Sequence, residues 1–392
     1  MPKKKICITT GLTFLVFGLI GCGVNPVTGK NELQFVSESQ EIEIGQQYYP
    51  YLVQAEGGVY SANNSINEYV ANVGRKLARV SDRPHLPYEF TVLDNSIPNA
   101  WALPGGKISI NIGLLVNLEN EAELAAVLGH EIVHSAARHG AQAMQRAAFL
   151  QTGMVGLSTA VAGSNYEGAV MQGANIGVGL ITSKYSRSAE LEADKYGIKY
   201  MEKAGYNPEA AVTLQEMFVK LEKERNTSWM EGLFATHPPS EERVKANEIS
   251  TKEYPEGGYL GENEYKEAIA QLIKNKPAYE AMEKGYRLLY IGGYAGALEQ
   301  AQIAIKIEPR EGHFYNLQGK AQIALGRYRQ ALSSFDTAIN RNPNYFEYYL
   351  QRGLLKKKLN MNGKPDLQKS FELLPTQEAY DALGYVQAKP KR

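Results

Sequence analysis

The sequence predicts two domains: a mostly helical α+β domain with a small β-sheet, followed by an all-α domain of helical repeats. The stretch GKISINI at residues 106–112 alternates polar and apolar residues with the period of a half-buried strand. Residues 120–140 carry a capping residue, an apolar run and a closing glycine, which are the marks of a helix. From residue 262 onward the chain repeats itself at an offset of 34 residues.

The N-terminus, MPKKKICITTGLTFLVFGLIGC, predicts a secretory signal peptide over residues 1–21. Three lysines precede about fifteen mostly apolar residues, the usual layout of such signals. The apolar run is shorter than the roughly 20 residues of a membrane-spanning helix, so a retained anchor is the weaker alternative. The residues LIGC at 19–22 resemble the bacterial lipobox, which implies that Cys22 becomes a lipid-modified N-terminus. Cys7 would leave with the signal, so the mature chain would hold no disulfide.

Length and charge allow several domains and favour no nucleic-acid partner. The 392 residues carry 42 basic and 42 acidic side chains, so no overall field attracts nucleic acid. Turn-forming residues follow the predicted signal, and we expect a tether at residues 22–46. A globular domain is predicted at residues 47–252, and a stretch rich in Pro and Gly from residue 254 separates it from the repeats at 262–392.

The C-terminal repeats resemble tetratricopeptide repeats. Segments 297–309 and 331–343 align at an offset of 34 residues and both end in proline, and the glycines at 292 and 319 align with those at 326 and 353. A unit of this length is typical of two antiparallel helices that stack on their neighbours. A helical bundle with accidental spacing is the alternative. The resemblance implies a concave surface that binds peptides or protein partners and brings no chemistry of its own.

Two histidines four residues apart on the predicted helix indicate a metal site. Residues at i and i+4 lie on one face of a helix, so His130 and His134 can direct ring nitrogens at one shared ion. Glu131 lies beside this face, where its carboxylate can act as a base without being a ligand. The HExxH pattern is a signature of zinc peptidases; the alternative is a surface helix with two solvated histidines. His139 is out of step with this face, and we interpret it as structural.

A second predicted helix, from about residue 187 to 204, offers the third ligand that zinc requires. Zinc bound by two imidazoles takes a further protein ligand and leaves one position open. Glu190 and Asp194 are four residues apart and share a face, which suits one ligand carboxylate and a second carboxylate that orients a ligand histidine. Glu192 points away from that face. A solvated acidic face is the alternative.

These motifs resemble those of peptidase family M48. The match consists of HEIVH at 130–134 and SRSAELEAD at 186–194, supported by NPVTGK at 25–30, NAWALPGGKISINIGLL at 99–115 and THPPSEER at 236–243. The resemblance implies a zincin-type α+β fold, one zinc ion and Glu190 as the third ligand. It also implies that His237 and Arg243 lie near the metal, where they would stabilise the oxyanion. In periplasmic members with C-terminal repeats the matching histidine can occupy the fourth zinc position instead, so two opposite roles for His237 stay open.

The alternating strand immediately precedes the metal helix and predicts a surface for substrate. Its polar residues are Lys107, Ser109 and Asn111. At the edge of a sheet they would flank an extended substrate that adds a strand through backbone hydrogen bonds, with little sequence preference. The alternative is an internal strand paired on both sides. Residues 147–183 carry one charged side chain and seven glycines, and we expect a helical hairpin there that acts as a lid, in preference to a membrane contact.

Together these features predict a lipid-anchored periplasmic zinc endopeptidase that degrades misfolded or stalled envelope proteins. Gly23 is not the aspartate that retains enterobacterial lipoproteins at the inner membrane, so we expect the outer membrane. Family resemblance implies unfolded or misassembled outer-membrane proteins as clients, recruited by the repeats beside the barrel-assembly machinery. A chaperone or scaffold with a closed or structural zinc site is the main alternative. A zinc enzyme acting on a non-peptide amide is a third.

Overall fold

The computed structural model describes residues 22–152 and 184–385 and confirms the predicted fold class. A mostly helical domain with small β-sheets precedes a series of paired helices. The strands are β1 (Cys22–Val24), β2 (Asn31–Leu33), β3 (Glu89–Leu93), β4 (Ala100–Leu103) and β5 (Lys107–Asn111). The predicted signal peptide and most of the hairpin predicted at 147–183 lie outside the described residues.

The helices of the first domain are α1 (Glu38–Ala55), α2 (Ser65–Ala78), α3 (Ile112–Leu115), α4 (Glu121–Ala136), α5 (His139–Thr152), α6 (Arg187–Lys203), α7 (Ala210–Lys223), α8 (Thr227–Glu231), α9 (Leu233–Thr236) and α10 (Glu241–Thr251). Ser37 starts α1 because its side chain accepts a hydrogen bond from the Gln40 amide, while the Gln40 side chain accepts one from the Ser37 amide. The predicted boundary between residues 46 and 47 therefore falls inside α1. Much of the predicted tether is also folded, since β1 and β2 form an antiparallel hairpin within it.

Helix α4 is the centre of the first domain. All of its residues are buried, and it packs against α2, α6, α7 and the three-stranded sheet. A glycine allows α4 and α6 to approach closely, because a Cβ on Gly197 would lie only 3.1 Å from the backbone nitrogen of His130. The two helices that carry the predicted ligands are therefore packed backbone against backbone.

Strand β5 is the central strand of its sheet, so the predicted substrate edge at residues 107–111 is wrong. The order is β3-β5-β4, with β5 parallel to β3 and antiparallel to β4. Lys107, Ser109 and Asn111 are all buried. Ser109 donates a hydrogen bond to the hydroxyl of Tyr49 in α1 (3.1 Å), and the other two side chains also bind partners within the protein. Helix α1 covers the polar face that the alternation assigned to the surface.

The second domain consists of α11 (Glu262–Tyr290), α12 (Tyr294–Ile307), α13 (Gly312–Ala324), α14 (Tyr328–Arg341), α15 (Phe346–Lys358), α16 (Lys364–Leu373) and α17 (Gln377–Leu383). The starts of α12 and α14, at 294 and 328, and those of α13 and α15, at 312 and 346, are each 34 residues apart. The repeated glycines mark close helix contacts, since a Cβ on Gly319 would lie 2.5 Å from the ring of Phe335. Each 34-residue repeat of the sequence therefore forms one pair of helices.

Direct contacts join the repeats to the first domain. Tyr265 in α11 donates a hydrogen bond to the Leu115 carbonyl (2.7 Å). Gln54 in α1 donates to the Asn344 carbonyl (2.7 Å) and accepts from the Phe346 amide (2.9 Å). Among the helices of the described residues, none combines the length and the apolar character needed to cross a bilayer.

Candidate metal centre

Helix α4 places two imidazole rings side by side in the interior of the domain. Its start is set by Asn120, whose side chain accepts a hydrogen bond from the Glu123 amide 2.9 Å away. Further along, His130 and His134 are only 9% and 1% exposed, and their Nε2 atoms lie 2.9 Å apart. The i, i+4 spacing therefore brings two ring nitrogens to one point, as the sequence predicts.

The helix ends earlier than the sequence predicts. Helix α4 ends at Ala136 and α5 begins at His139, with Arg138 between them in the left-handed region (φ 65°). The predicted end at Gly140 is therefore wrong. The Arg138 guanidinium holds this turn through contacts with Glu41 and other N-terminal residues. The turn brings the His139 ring back towards the ligand histidines.

Glu190, on α6, completes a set of donor atoms suited to one zinc ion. Its carboxylate oxygens lie 3.5 Å from His130 Nε2 and 3.4 Å from His134 Nε2. Donor atoms placed 2.0–2.1 Å from a tetrahedral zinc ion are about 3.3 Å from one another. The separations are close to the edges of such a tetrahedron, so the residues present fit the metal that the sequence implies.

Asp194 and Arg243 contact the proposed ligands and hold them in position. Asp194 Oδ1 lies 2.9 Å from His130 Nδ1, which leaves the other ring nitrogen facing the cluster. Arg243 donates two hydrogen bonds of 2.7 Å to Asp194 and lies 2.9 Å from Glu190. All of its guanidinium nitrogens are engaged in this way. The expected oxyanion role of Arg243 does not fit this arrangement, and its geometry is that of a positioning residue.

His134 has a support of its own that the sequence analysis missed. Its Nδ1 lies 2.9 Å from His139 Nδ1, and His139 Nε2 lies 3.2 Å from Glu192. Glu192 also accepts a hydrogen bond of 3.1 Å from Asn25, which is fully buried in the loop of the N-terminal hairpin. The helical period puts His139 off the ligand face, and only the turn at Arg138 returns it. The helical spacing of the sequence does not predict that turn.

His237 is the fourth group at the cluster. It directly follows α9, and its Nδ1 lies 3.3 Å from His130 Nε2 and 3.1 Å from Glu190 Oε1. Each of the four side chains can place one donor atom within 4.8 Å of the others. This position suits a fourth ligand that closes the site.

Glu131 lies next to the ligands. Its Oε1 is 3.7 Å from His237 Nε2, and its Oε2 is buried with no hydrogen-bond partner among the described residues. A cavity of about 40 Å³ lies beside Glu131 and His130, with Leu214 and Phe218 in its apolar lining. Such a volume has room for water. The free carboxylate oxygen is therefore available to a water molecule beside the cluster.

The charges of the cluster favour metal binding. Burial lowers the pKa of His130, but Glu190 and Asp194 outweigh it and raise that pKa to about 10. Burial lowers the pKa of His134 well below its ordinary value. Burial disfavours the ionised form of Glu190, yet neighbouring positive charges, that of His237 first, hold its pKa well below the usual range. The site thus offers an anionic carboxylate and a neutral imidazole, and metal binding would displace the proton of His130.

Tyr185 is a further residue that the sequence analysis missed. Its ring stacks on the His134 ring, with centroids 3.8 Å apart and planes 20° apart, and its centroid lies 5.5 Å from that of His237. Ser186 starts α6 directly after it by accepting a hydrogen bond from the Ala189 amide. Tyr185 therefore forms an aromatic wall at the cluster. In a single sequence, a tyrosine directly before a helix N-cap does not indicate contact with a metal site.

Residues 64–249 match the model of Peptidase family M48, and this match includes all the proposed ligands. The chain contains a peptidase family M48 domain. The predicted resemblance to peptidase family M48 is thereby confirmed. Peptidases of this family depend on zinc, and His130, His134 and Glu190 form a buried group that could bind one ion. The zinc prediction is confirmed on the same grounds.

Curated proteins and solved structures resemble different shares of this chain. The beta-barrel assembly-enhancing protease of Escherichia coli K12 is 29% identical over 225 residues, which cover 56% of this chain and 45% of that protein. Mitochondrial metalloendopeptidase OMA1 of Schizosaccharomyces pombe is 30% identical over 221 residues, which cover 56% of this chain and 64% of that protein. Among solved structures, the first TPR domain of human RPAP3 matches 28% of this chain and 89% of that domain, with 24% identity and a TM-score of 0.27.

Proposed function

We propose that this protein is a zinc-dependent endopeptidase. The observation that carries the proposal is the convergence of His130, His134 and Glu190 at one buried point, beside a carboxylate oxygen of Glu131 that has no partner among the described residues. The match spans less than half the length of the Escherichia coli relative, 45%. That relative is named a protease, and the yeast relative is named a metalloendopeptidase, which supports the hydrolysis of peptide bonds.

Glu131 is the proposed general base. When bound, zinc would polarise the scissile carbonyl and make water more acidic. Glu131 would accept a proton from the attacking water and deliver it to the leaving amine. Burial raises the pKa of Glu131, so its carboxyl group can hold the proton between the two steps. Asp194 and Arg243 would keep the ligands in position throughout.

The Glu131→Gln variant tests this proposal. It should retain one zinc ion per chain, because Glu131 is not a proposed ligand, and cleavage of an unfolded protein such as casein should fall by about 10²–10⁴-fold. The His134→Ala variant is the control, since it should lose both the metal and the activity. Zinc-bound Glu131→Gln protein that cleaves casein at the wild-type rate would exclude Glu131 as the base.

The position of His237 favours a second candidate, a chaperone or scaffold with a closed zinc site. Its Nδ1 is as close to Glu190 and His130 as a fourth ligand would be, and the cavity beside Glu131 is only about 40 Å³. A site filled by four side chains has no place for a substrate carbonyl. The peptidase would then act only after His237 moves away.

The His237→Ala variant separates the two roles of His237. Faster casein cleavage than wild type would support a side chain that closes the site, whereas slower cleavage would support an oxyanion role and exclude closure. His85→Ala is the matched control, because His85 is 60% exposed and distant from the cluster in sequence. If a Glu131→Gln protein restores growth of a deletion strain, binding of clients is the main function.

We propose that Cys22 carries a lipid that holds the protein at the periplasmic face of the outer membrane, where the repeats recruit unfolded or misassembled outer-membrane proteins. The signal and lipobox pattern supports the anchor, and the name of the Escherichia coli relative supports a role beside barrel assembly. Because β5 is internal, β4 is the remaining strand edge next to α4 for an extended client segment.

The anchor has a direct test. Wild-type protein should incorporate a fatty-acid label and sediment with outer membranes, whereas the Cys22→Ala variant should do neither. Cys7→Ala is the matched control, because Cys7 lies within the predicted signal peptide. This substitution should change neither the fatty-acid labelling nor the sedimentation. Label on the Cys22→Ala protein would exclude Cys22 as the lipidated residue.

A further inference from the structure

A second buried group of possible ligands lies where the first domain meets the repeats. Asp94, directly after β3, faces Glu311 and His313 at the start of α13. One donor atom of each lies within 4.8 Å of the others, and the three residues are 4%, 1% and 6% exposed. The group exists only because the two domains are in contact.

Within residues 22–152 and 184–385, no Lys or Arg side chain balances the charges of this group. The Tyr279 hydroxyl lies 3.0 Å from Asp94 Oδ1 and 3.2 Å from Glu311 Oε2, yet it has only one proton to donate. Among the described residues, neither carboxylate forms an ion pair with Lys or Arg; the nearby Arg310 pairs with Glu308 instead. Two buried carboxylates at this separation repel each other and lose their hydration. The pair therefore requires a cation or a shared proton.

Several polar atoms at this place lack partners in the part of the chain that the structure describes. They are Asp94 Oδ2 and the hydroxyls of Tyr60 and Tyr348, all buried. The Tyr348 hydroxyl would lie 2.8 Å from a Cβ on Gly312, within the same turn as the two repeat-domain members of the group. Burial, and then the negative charges of the two carboxylates, raise the pKa of Tyr60. Asp94 Oδ2 is therefore an unsatisfied acceptor within the group, and the charges of Asp94 and Glu311 act on both tyrosines.

We infer that Asp94, Glu311 and His313 bind a divalent metal ion that joins the two domains. A shared proton would remove only one of the two negative charges. A divalent cation removes both and gives Asp94 Oδ2 the partner it lacks. His313 Nε2 donates a hydrogen bond to the Gly57 carbonyl oxygen (2.9 Å) and lies 3.7 Å from Asp94 Oδ2, so a metal ion bound at Nε2 would displace its proton. The proposed metal ligands thus come from both domains.

The donor set favours a transition metal over calcium or magnesium. Calcium and magnesium prefer oxygen ligands alone, whereas two carboxylates with an imidazole suit Zn²⁺ or Mn²⁺. The ion has a structural role, because the group is buried and the ligands come from two domains. Its loss would loosen the attachment of the repeats to the peptidase domain.

Metal content of the full chain tests the inference independently of peptidase activity. The His134→Ala, Glu190→Ala double variant removes two of the ligands proposed for the peptidase site. Loaded with Zn²⁺ or Mn²⁺ alone and passed over a desalting column, it should retain one equivalent per chain by elemental analysis. Adding Asp94→Asn and Glu311→Gln should lower that value more than tenfold and abolish the rise in melting temperature caused by the metal.

Glu308→Gln in the same double variant is the matched control, because Glu308 is a buried carboxylate of the same loop that pairs with Arg310. It should retain the metal. A double variant that holds neither Zn²⁺ nor Mn²⁺ overturns the inference and leaves a shared proton as the means of neutralisation. This measurement decides the question even if the Asp94→Asn, Glu311→Gln protein does not fold. Retention of metal by a folded Asp94→Asn, Glu311→Gln protein overturns it as well.

Discussion

Replacing Asp194 by asparagine should weaken zinc binding while it leaves the ligand set complete. Asp194 contacts His130 at 2.9 Å on one side and Arg243 at 2.7 Å on the other. An amide at this position carries no charge, so the contact no longer favours the ring orientation in which Nε2 faces the metal. Loss of a group that orients a ligand histidine lowers metal affinity by about 10–100-fold. This corresponds to about 1.4–2.7 kcal/mol of zinc binding free energy.

The same substitution should also lower the free energy of unfolding. The side chains of Asp194 and Arg243 are each 5% exposed, so solvent screens their interaction little. Removing one partner of a buried ion pair costs about 3–5 kcal/mol. Arg243 keeps its contact with Glu190 at 2.9 Å, and asparagine retains one acceptor oxygen. We therefore expect the lower end of that range, about 3 kcal/mol.

Zinc affinity is measured by competition with a chromogenic chelator, and stability by urea unfolding of the metal-free protein. Asp366→Asn is the matched control, because Asp366 accepts two hydrogen bonds from Arg352 within the repeats, at 2.9 and 2.6 Å. It should lower stability without changing zinc affinity. If Asp194→Asn protein binds zinc as tightly as wild type, the reasoning about His130 is refuted.

Three other contacts, those of His139, Gly197 and Asp366, each predict the effect of a substitution. His139→Asn should lower zinc affinity by about tenfold in the chelator competition; wild-type affinity would show that His139 does not orient its neighbour. Gly197→Ala places a methyl group 3.1 Å from the His130 backbone nitrogen, so urea unfolding should show a loss of about 1–3 kcal/mol. Burial opposes ionisation of Asp366, yet Arg352 lowers its pKa, so its stabilising effect is present above the unfolded pKa of about 3.9 and disappears as pH falls through the folded pKa. Wild-type and Asp366→Asn proteins should melt at different temperatures at neutral pH and converge in acid.

Much of the metal centre could be predicted because it depends on short stretches of chain. The i, i+4 spacing of His130 and His134 belongs to a single helix, and so does that of Glu190 and Asp194. The cap at Asn120 depends on residues within one turn of helix, and the 34-residue period appears when the chain is aligned with itself. Both can therefore be predicted from the sequence. Family resemblance then paired the two helices, which spacing alone could not do.

The tertiary structure decided how distant segments meet. Strand β5 has the alternation of a half-buried strand, yet β3 and β4 pair with both of its edges and α1 covers its polar face. The guanidinium of Arg243 is engaged by the buried carboxylates of Asp194 and Glu190, a pairing between segments that are distant in sequence. Asp94 and Glu311 share one environment only through the contact between domains. Such encounters depend on packing across the whole chain, and the period of a single element carries no information about them.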